Sequence, residues 1–340
     1  MSHHPVPPPD FAVTGGFGGT VDRRPGTVTA AGILAIGFGA LIALGGVVLL
    51  VNTFGLMTGE ANPLVAYQLT NGLLLLLLAV ASILSGSLAL LGRSLARPAV
   101  FGVLGAAAVD GVSYLSGDVM AVIVGQQASA DELVITVLYL LAAGLAAVPV
   151  VLLATPAATR WFGNRRAAAA VVAPAPETGT PAVAPRPFGT VLAFIFLLSG
   201  TVVFIVDIIF TVVTTIADYQ DSSYVSIPEV VLPNLGFVTP GLVVLIAASI
   251  GAGLGRELGR ILGYAAASFL VYQGLYFAFN VPLTAVTVGP GSVMSYLHAG
   301  IGLVEAAAGV CAAFALSQPA VVRWFDDRRS GPVHPAGHFP

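Results

Sequence analysis

The segment RWFGNRR at residues 160–166 returns 163 residues later as RWFDDRR at residues 323–329. The same spacing links Gly26-Thr27-Val28 to Gly189-Thr190-Val191. It also links Gly92-Arg93-Ser94-Leu95-Ala96-Arg97 to Gly255-Arg256-Glu257-Leu258-Gly259-Arg260. Three matches at one offset indicate a duplicated unit with almost no net insertion between its copies.

What the unit is made of follows from composition. The chain is 57% hydrophobic and 9% charged, with a mean hydropathy of +0.94, whereas a soluble domain is about a quarter charged. Apolar runs lie near residues 28–52, 69–91, 98–124 and 132–154, and again near 190–217, 235–254, 261–281 and 292–316. Each is about 20 residues or longer, enough to cross roughly 30 Å of hydrocarbon. In lipid such runs are helices, because an irregular backbone would leave its polar groups unpaired. The expected fold is therefore an all-α integral membrane protein with eight transmembrane helices in two four-helix repeats.

Orientation follows from arginine, since all 13 basic residues are arginine. Arg23 and Arg24 precede the first run, Arg93 and Arg97 lie between the second and third, and Arg160, Arg165, Arg166 and Arg186 between the fourth and fifth. Arg256 and Arg260 separate the sixth and seventh, and Arg323, Arg328 and Arg329 follow the eighth. Eight spans put all of these on one side, while the other carries Glu60, Asp118, Asp131, Glu132, Asp218, Asp221 and Glu229. The positive-inside rule makes the arginine side cytoplasmic, with both termini there. An even span count makes the repeats parallel, related by an axis along the membrane normal. The expected organisation is a disordered cytoplasmic tail (1–22), a first repeat (23–166), a Pro/Ala-rich cytoplasmic linker (167–185), a second repeat (186–329) and a disordered tail (330–340). Heavy Ala, Gly, Val and Arg use points to a GC-rich bacterial genome and hence to the plasma membrane.

The arginine-side motifs predict contact with lipid. Arg93, Arg97, Arg160, Arg256, Arg260 and Arg323 are placed to reach phosphates, and Trp161 and Trp324 to sit at headgroup level. The expected partners are the bilayer and anionic headgroups on the cytoplasmic face, with protein partners or a homo-oligomer open and no nucleic acid. Gly251, Gly255, Gly259 and Gly263 form a small-residue row across one turn, which predicts close packing of spans six and seven.

Ionisable groups at bilayer depth are expensive and carry a functional hypothesis by default. Asp110 falls near the middle of span three, and the offset pairs it with Gln273. Glu305 lies mid-span in the eighth run, Asp207 in the outer part of the fifth, and His298 near the outer end of the eighth. His298 and Glu305 are seven apart and share a helix face. These five form a candidate intramembrane polar site between the repeats, or else hydrogen-bond singly to neighbouring helices. Asn71 and its offset partner Asn234 are expected to cap helices.

Several chemistries are excluded. Without lysine there is no retinal Schiff base, and one histidine within the spans excludes bis-histidine haem ligation in one chain. The single Cys311 excludes disulfides and thiolate metal clusters within the chain. There is no P-loop, HExxH or G-x-S-x-G motif. No catalytic residues, metal or cofactor are assigned. Two functions remain: a non-catalytic structural or accessory subunit of a membrane assembly, or a secondary transporter or small-solute permease with its site between the repeats.

Overall fold

A computed structural model describes residues 23–56, 63–126, 130–170, 186–219, 227–287, 289 and 293–330. The tails expected at 1–22 and 330–340 lie outside them except for Ser330, and so does the linker from 171 to 185. Among the described residues all regular structure is α-helical, in the order α1 (Gly26–Leu56), α2 (Pro63–Leu91), α3 (Ala96–Ile123), α4 (Ala130–Ala154), α5 (Pro156–Ala170), α6 (Phe188–Tyr219), α7 (Ile227–Leu254), α8 (Glu257–Thr287), α9 (Val293–Ser317) and α10 (Pro319–Ser330). Eight of these, all but α5 and α10, are long and apolar enough to cross a membrane. Large aliphatic side chains such as Leu41, Leu77, Leu141, Val202 and Val304 are exposed along their flanks. A surface of that kind belongs in lipid, and the chain is a multi-pass membrane protein.

Two elements differ from the sequence reading. The Arg-Trp-Phe segments are separate short helices, because the chain breaks at Thr155 and Gln318 and restarts on Pro156 and Pro319. Proline suits a first helical position, where its missing N–H costs nothing. Helix α5 also runs through Ala170, into the stretch expected as linker, on a run of alanines with high helix propensity.

The hairpin turns between α2 and α3 and between α7 and α8 are built alike. Gly92 (φ +68°) and Gly255 (φ +69°) occupy the left-handed region that glycine enters without strain. The N–H of Gly92 donates to Ala89 O and that of Arg93 to Leu88 O; Gly255 and Arg256 donate to Ala252 O and Gly251 O. Both are glycine C-caps that satisfy the last carbonyls of a helix.

Helices α3 and α8 pack on each other at the centre. A β-carbon added to Gly102 would lie 2.6 Å from Ser268 Oγ, and one on Gly105 2.6 Å from Ala265 Cβ. Around them α2 packs on α1, α3 and α8, α7 on α3, α6 and α8, α4 on α1 and α3, and α9 on α6 and α8. The broadest interface is α1–α2. Small residues recur there every seven positions, Gly32, Gly39 and Gly46 against Gly86, Ala79 and Gly72. Seven residues are close to two turns, so the small residues form one stripe and the backbones meet along its length. Across the second hairpin Gly251 faces Gly259, a β-carbon on the former lying 2.6 Å from the Cα of the latter. Gly263, the last of that glycine row, instead faces Leu316 on α9.

Candidate functional site

Two polar regions are built by these helices, one inside the spans and one at their arginine-bearing end. Inside the spans, α6 and α9 bring Asp207 and His298 together, Oδ1 to Nε2 at 2.7 Å. The imidazole is held between rings: Phe277 stacks on it at 4.1 Å and Phe210 meets it edge-on at 5.4 Å. Glu305 is two turns further along the His298 face of α9. It is fully buried, within electrostatic reach of Asp207, and neither carboxyl oxygen has a hydrogen-bond partner among the described residues.

Asp110 belongs to a different neighbourhood. It is part-buried on α3, in electrostatic reach of Tyr114, Tyr139 and Tyr272 from α3, α4 and α8. Tyr114 stacks on Tyr139 with ring centroids 3.9 Å apart. Gln273 is buried on α8, beside Gly274, whose backbone meets α9 at Gly302 and Ala306. The five residues expected at one site thus divide into an Asp207–His298 contact with Glu305 nearby, an aspartate among tyrosines, and Gln273 buried on α8. Asn71 and Asn234 lie well inside α2 and α7 instead of capping them. Each Nδ2 donates at 2.9 Å to a carbonyl four residues back, Tyr67 O and Val230 O.

At the other end, α3, α5, α8 and α10 meet around two arginines. Arg97 Nη2 donates to Thr159 Oγ1 at 3.0 Å and lies 3.6 Å from Glu257 Oε1. Arg260 Nη2 donates to the same Glu257 oxygen at 2.8 Å and to Asp326 Oδ1 at 3.4 Å. Arg97 lies over the Phe101 ring and Arg260 over Phe325. Both guanidiniums are withdrawn from solvent, Arg97 being 3% and Arg260 4% exposed. Trp161 and Trp324 are buried as well, at 3% and 4%, in an apolar cluster that joins α1, α3, α5, α8 and α10. Four of the eight residues expected at the headgroups are therefore inside the protein, because α5 and α10 fold back over the helix ends and carry their aromatic faces inward. Arg93, Arg160, Arg256 and Arg323 are exposed.

Glu257, the hub of this network, has Ser94 at the corresponding place of the other motif copy. An acid in the first turn of a helix flanked by two arginines was the available sequence signal. A cavity of about 490 Å³ opens beside the network, lined by Arg97, Arg260, Arg323, Phe101, Tyr264 and Ser94 among others. A second, of about 630 Å³, lies between α3, α4 and α7 at the opposite end, lined by residues including Tyr114, Asp118, Thr136, Pro233, Asn234 and Phe237. There Thr136 Oγ1 donates to Asp118, and Gln126 Nε2 donates to Glu229 O at 2.7 Å. Neither cavity has Asp110, Asp207, Gln273, His298 or Glu305 in its wall. Among the described residues no three His, Cys, Asp or Glu side chains are grouped as a metal site.

Comparison with protein-family models, with curated proteins and with solved structures gave no match.

Proposed function

We propose that this chain is a non-catalytic structural or accessory subunit of a bacterial plasma-membrane assembly, built as two parallel four-span repeats with both termini in the cytoplasm. The observation that carries the reading is that the five intramembrane polar residues share no single site and none of them lines either cavity. A transporter of parallel repeats places its site between them. Here the inner half of that interface, α3 against α8, is closed by Gly102, Gly105, Ala265 and Ser268.

The repeat is supported by its internal consistency. Adding 163 to Gly102 and Gly105 gives Ala265 and Ser268, so the two central contacts exchange with each other under the offset. The packed pairs exchange likewise: α1–α2 with α6–α7, α3–α4 with α8–α9, α1–α4 with α6–α9, α2–α3 with α7–α8, and α3–α7 with α2–α8. The exposed Arg93, Arg160, Arg256 and Arg323 are the proposed contacts to anionic headgroups on the cytoplasmic face.

A secondary transporter or small-solute permease is the second reading, and one observation favours it: Asp207, His298 and Glu305 gather ionisable groups at depth in one repeat. Proteoliposome flux separates the two. With the structural reading, protons and a panel of small solutes cross no faster with wild-type protein than through empty vesicles. Flux that is present in wild type and lost in Glu305→Gln replaces it with the transporter reading.

A further inference from the structure

We propose that the 490 Å³ cavity between α3, α8, α9 and α10 is a binding site for a phosphate group carried on an apolar body. Three guanidiniums line it, from Arg97, Arg260 and Arg323, and the first two are almost fully buried. The acids that hold them, Glu257 and Asp326, are absent from the wall. Their carboxylates brace Nη2 of each arginine from outside the cavity. The N-terminal end of α3 reaches the same space, and its N-cap residue, Leu95, supplies no side-chain cap. Positive charge held in place beside a helix N-terminus is the chemistry that recognises phosphate.

The remaining wall selects what the phosphate is attached to. Leu95, Pro98, Phe101, Tyr264, Pro319 and Val322 make it mostly apolar, and its volume is that of a small-molecule site. The exposed Ser94 and Arg323 stand at its rim. The fit is to an anionic lipid headgroup with the start of its chains, and a free phosphomonoester shares the head chemistry.

The site is single, for a reason in the sequence. In the proposed repeat register the equivalent place lies beside α5, and there Glu257 stands where Ser94 does here. Glu257 and Thr159 are bonded to the arginines on that side, so an acid takes the position of the anion. The proposed side of the membrane rests on the orientation given above, whereas the ligand chemistry does not.

The test uses full-length protein in a non-ionic detergent, titrated with dioleoyl phosphatidylglycerol, dioleoyl phosphatidylcholine or sn-glycerol 3-phosphate. Bound stoichiometry is read by native mass spectrometry and affinity by the shift of the unfolding midpoint. The expected result is saturable binding of one phosphatidylglycerol per chain without equivalent binding of phosphatidylcholine. Ser94→Glu, which copies the acid of the other repeat and sets a carboxylate against the phosphate, and Arg323→Gln, which removes one charge-assisted hydrogen bond, each weaken it roughly tenfold or more. Arg165→Gln, exposed and outside the wall, leaves it unchanged. Ser94 and Arg323 are both at the surface, so either variant serves if the other fails to fold. Binding of glycerol phosphate with the same variant dependence supports the site and assigns a soluble source. Equal binding of phosphatidylcholine, or phosphatidylglycerol binding indifferent to both variants, overturns the proposal.

Discussion

Helices α1 and α6 occupy the same place in the two proposed repeats and bury opposite faces. On α1 the stripe of Gly32, Gly39 and Gly46 lies against α2. The corresponding residues of α6, Ile195, Val202 and Ile209, are exposed to the surroundings. Conversely Leu44 is exposed on α1, while its counterpart Asp207 is buried on α6 against His298. One repeat therefore holds its first helix by backbone proximity to the second helix. The other spreads the contacts of its first helix over α7, α8 and α9, with Gly200 against Leu270 and Ala308, Phe204 against Phe269, and a polar contact to His298. Under the proposed repeat the topology is kept while the fastening has moved. Without a hydrophobic drive between helices in lipid, close van der Waals contact and polar pairs are the two means available.

The sharpest way to break this comparison is to widen the glycine seam. A β-carbon on Gly39 already lies 2.8 Å from both Ala79 O and Ile83 Cγ1, and a backbone carbonyl has nowhere to move. Gly39→Leu is expected to cost about 3 kcal/mol, at the upper end for overpacking. Val202→Leu, its counterpart on the exposed face of α6, is expected to stay within about 0.5 kcal/mol. Reversible denaturation in mixed micelles measures both. Equal tolerance of the two would mean that the α1–α2 seam is not a close contact in the membrane.

A second asymmetry is Glu257 against Ser94. Removing the acid leaves two buried guanidiniums close together without their shared partner. Breaking a fully buried pair costs about 3–5 kcal/mol, and Glu257 is partly open to solvent, so Glu257→Gln is expected to cost about 2 kcal/mol. Ser94→Ala, exposed and outside that network, is expected to be neutral within about 0.5 kcal/mol. The same denaturation measurement, repeated with added salt, reads the electrostatic part. A Glu257→Gln cost no larger than that of Ser94→Ala would show that Thr159, Asp326 and the aromatic rings hold the arginines without it.

The eight spans were legible because hydropathy and the absence of charge report directly on length in lipid. The shared hairpin geometry at Gly92 and Gly255 was legible from one motif written twice. Burial of Trp161 and Trp324 was not, because the motif names an aromatic but not the direction in which α5 and α10 fold back. Pro156 and Pro319 did mark where those helices begin. The heptad of Gly32, Gly39 and Gly46 stands in the sequence, yet its partner helix is fixed only by packing. The contact of Asp207 with His298 has no periodic signal, since it joins two helices far apart in the chain. Equal depth also grouped Asp110 with Glu305, and depth says nothing of which helix face each occupies.

That contact gives the smallest expected effect and the finest test. A buried ion pair broken in a soluble protein costs several kcal/mol. Polar pairs between membrane helices average about 0.6 kcal/mol, because the separated helices find other partners in the bilayer. The second value governs here, since α6 remains inserted when it loosens from α9. Asp207→Leu, His298→Leu and the double variant are therefore expected to give a coupling energy of about 1 kcal/mol in a double-mutant cycle. Leu44→Ala on the lipid-facing side of α1 is expected to cost less than about 0.5 kcal/mol. A coupling near zero would assign the hold on α6 to Gly200 and Phe204 alone. A coupling above about 3 kcal/mol would make the polar pair the fastening that replaces the whole glycine stripe of α1.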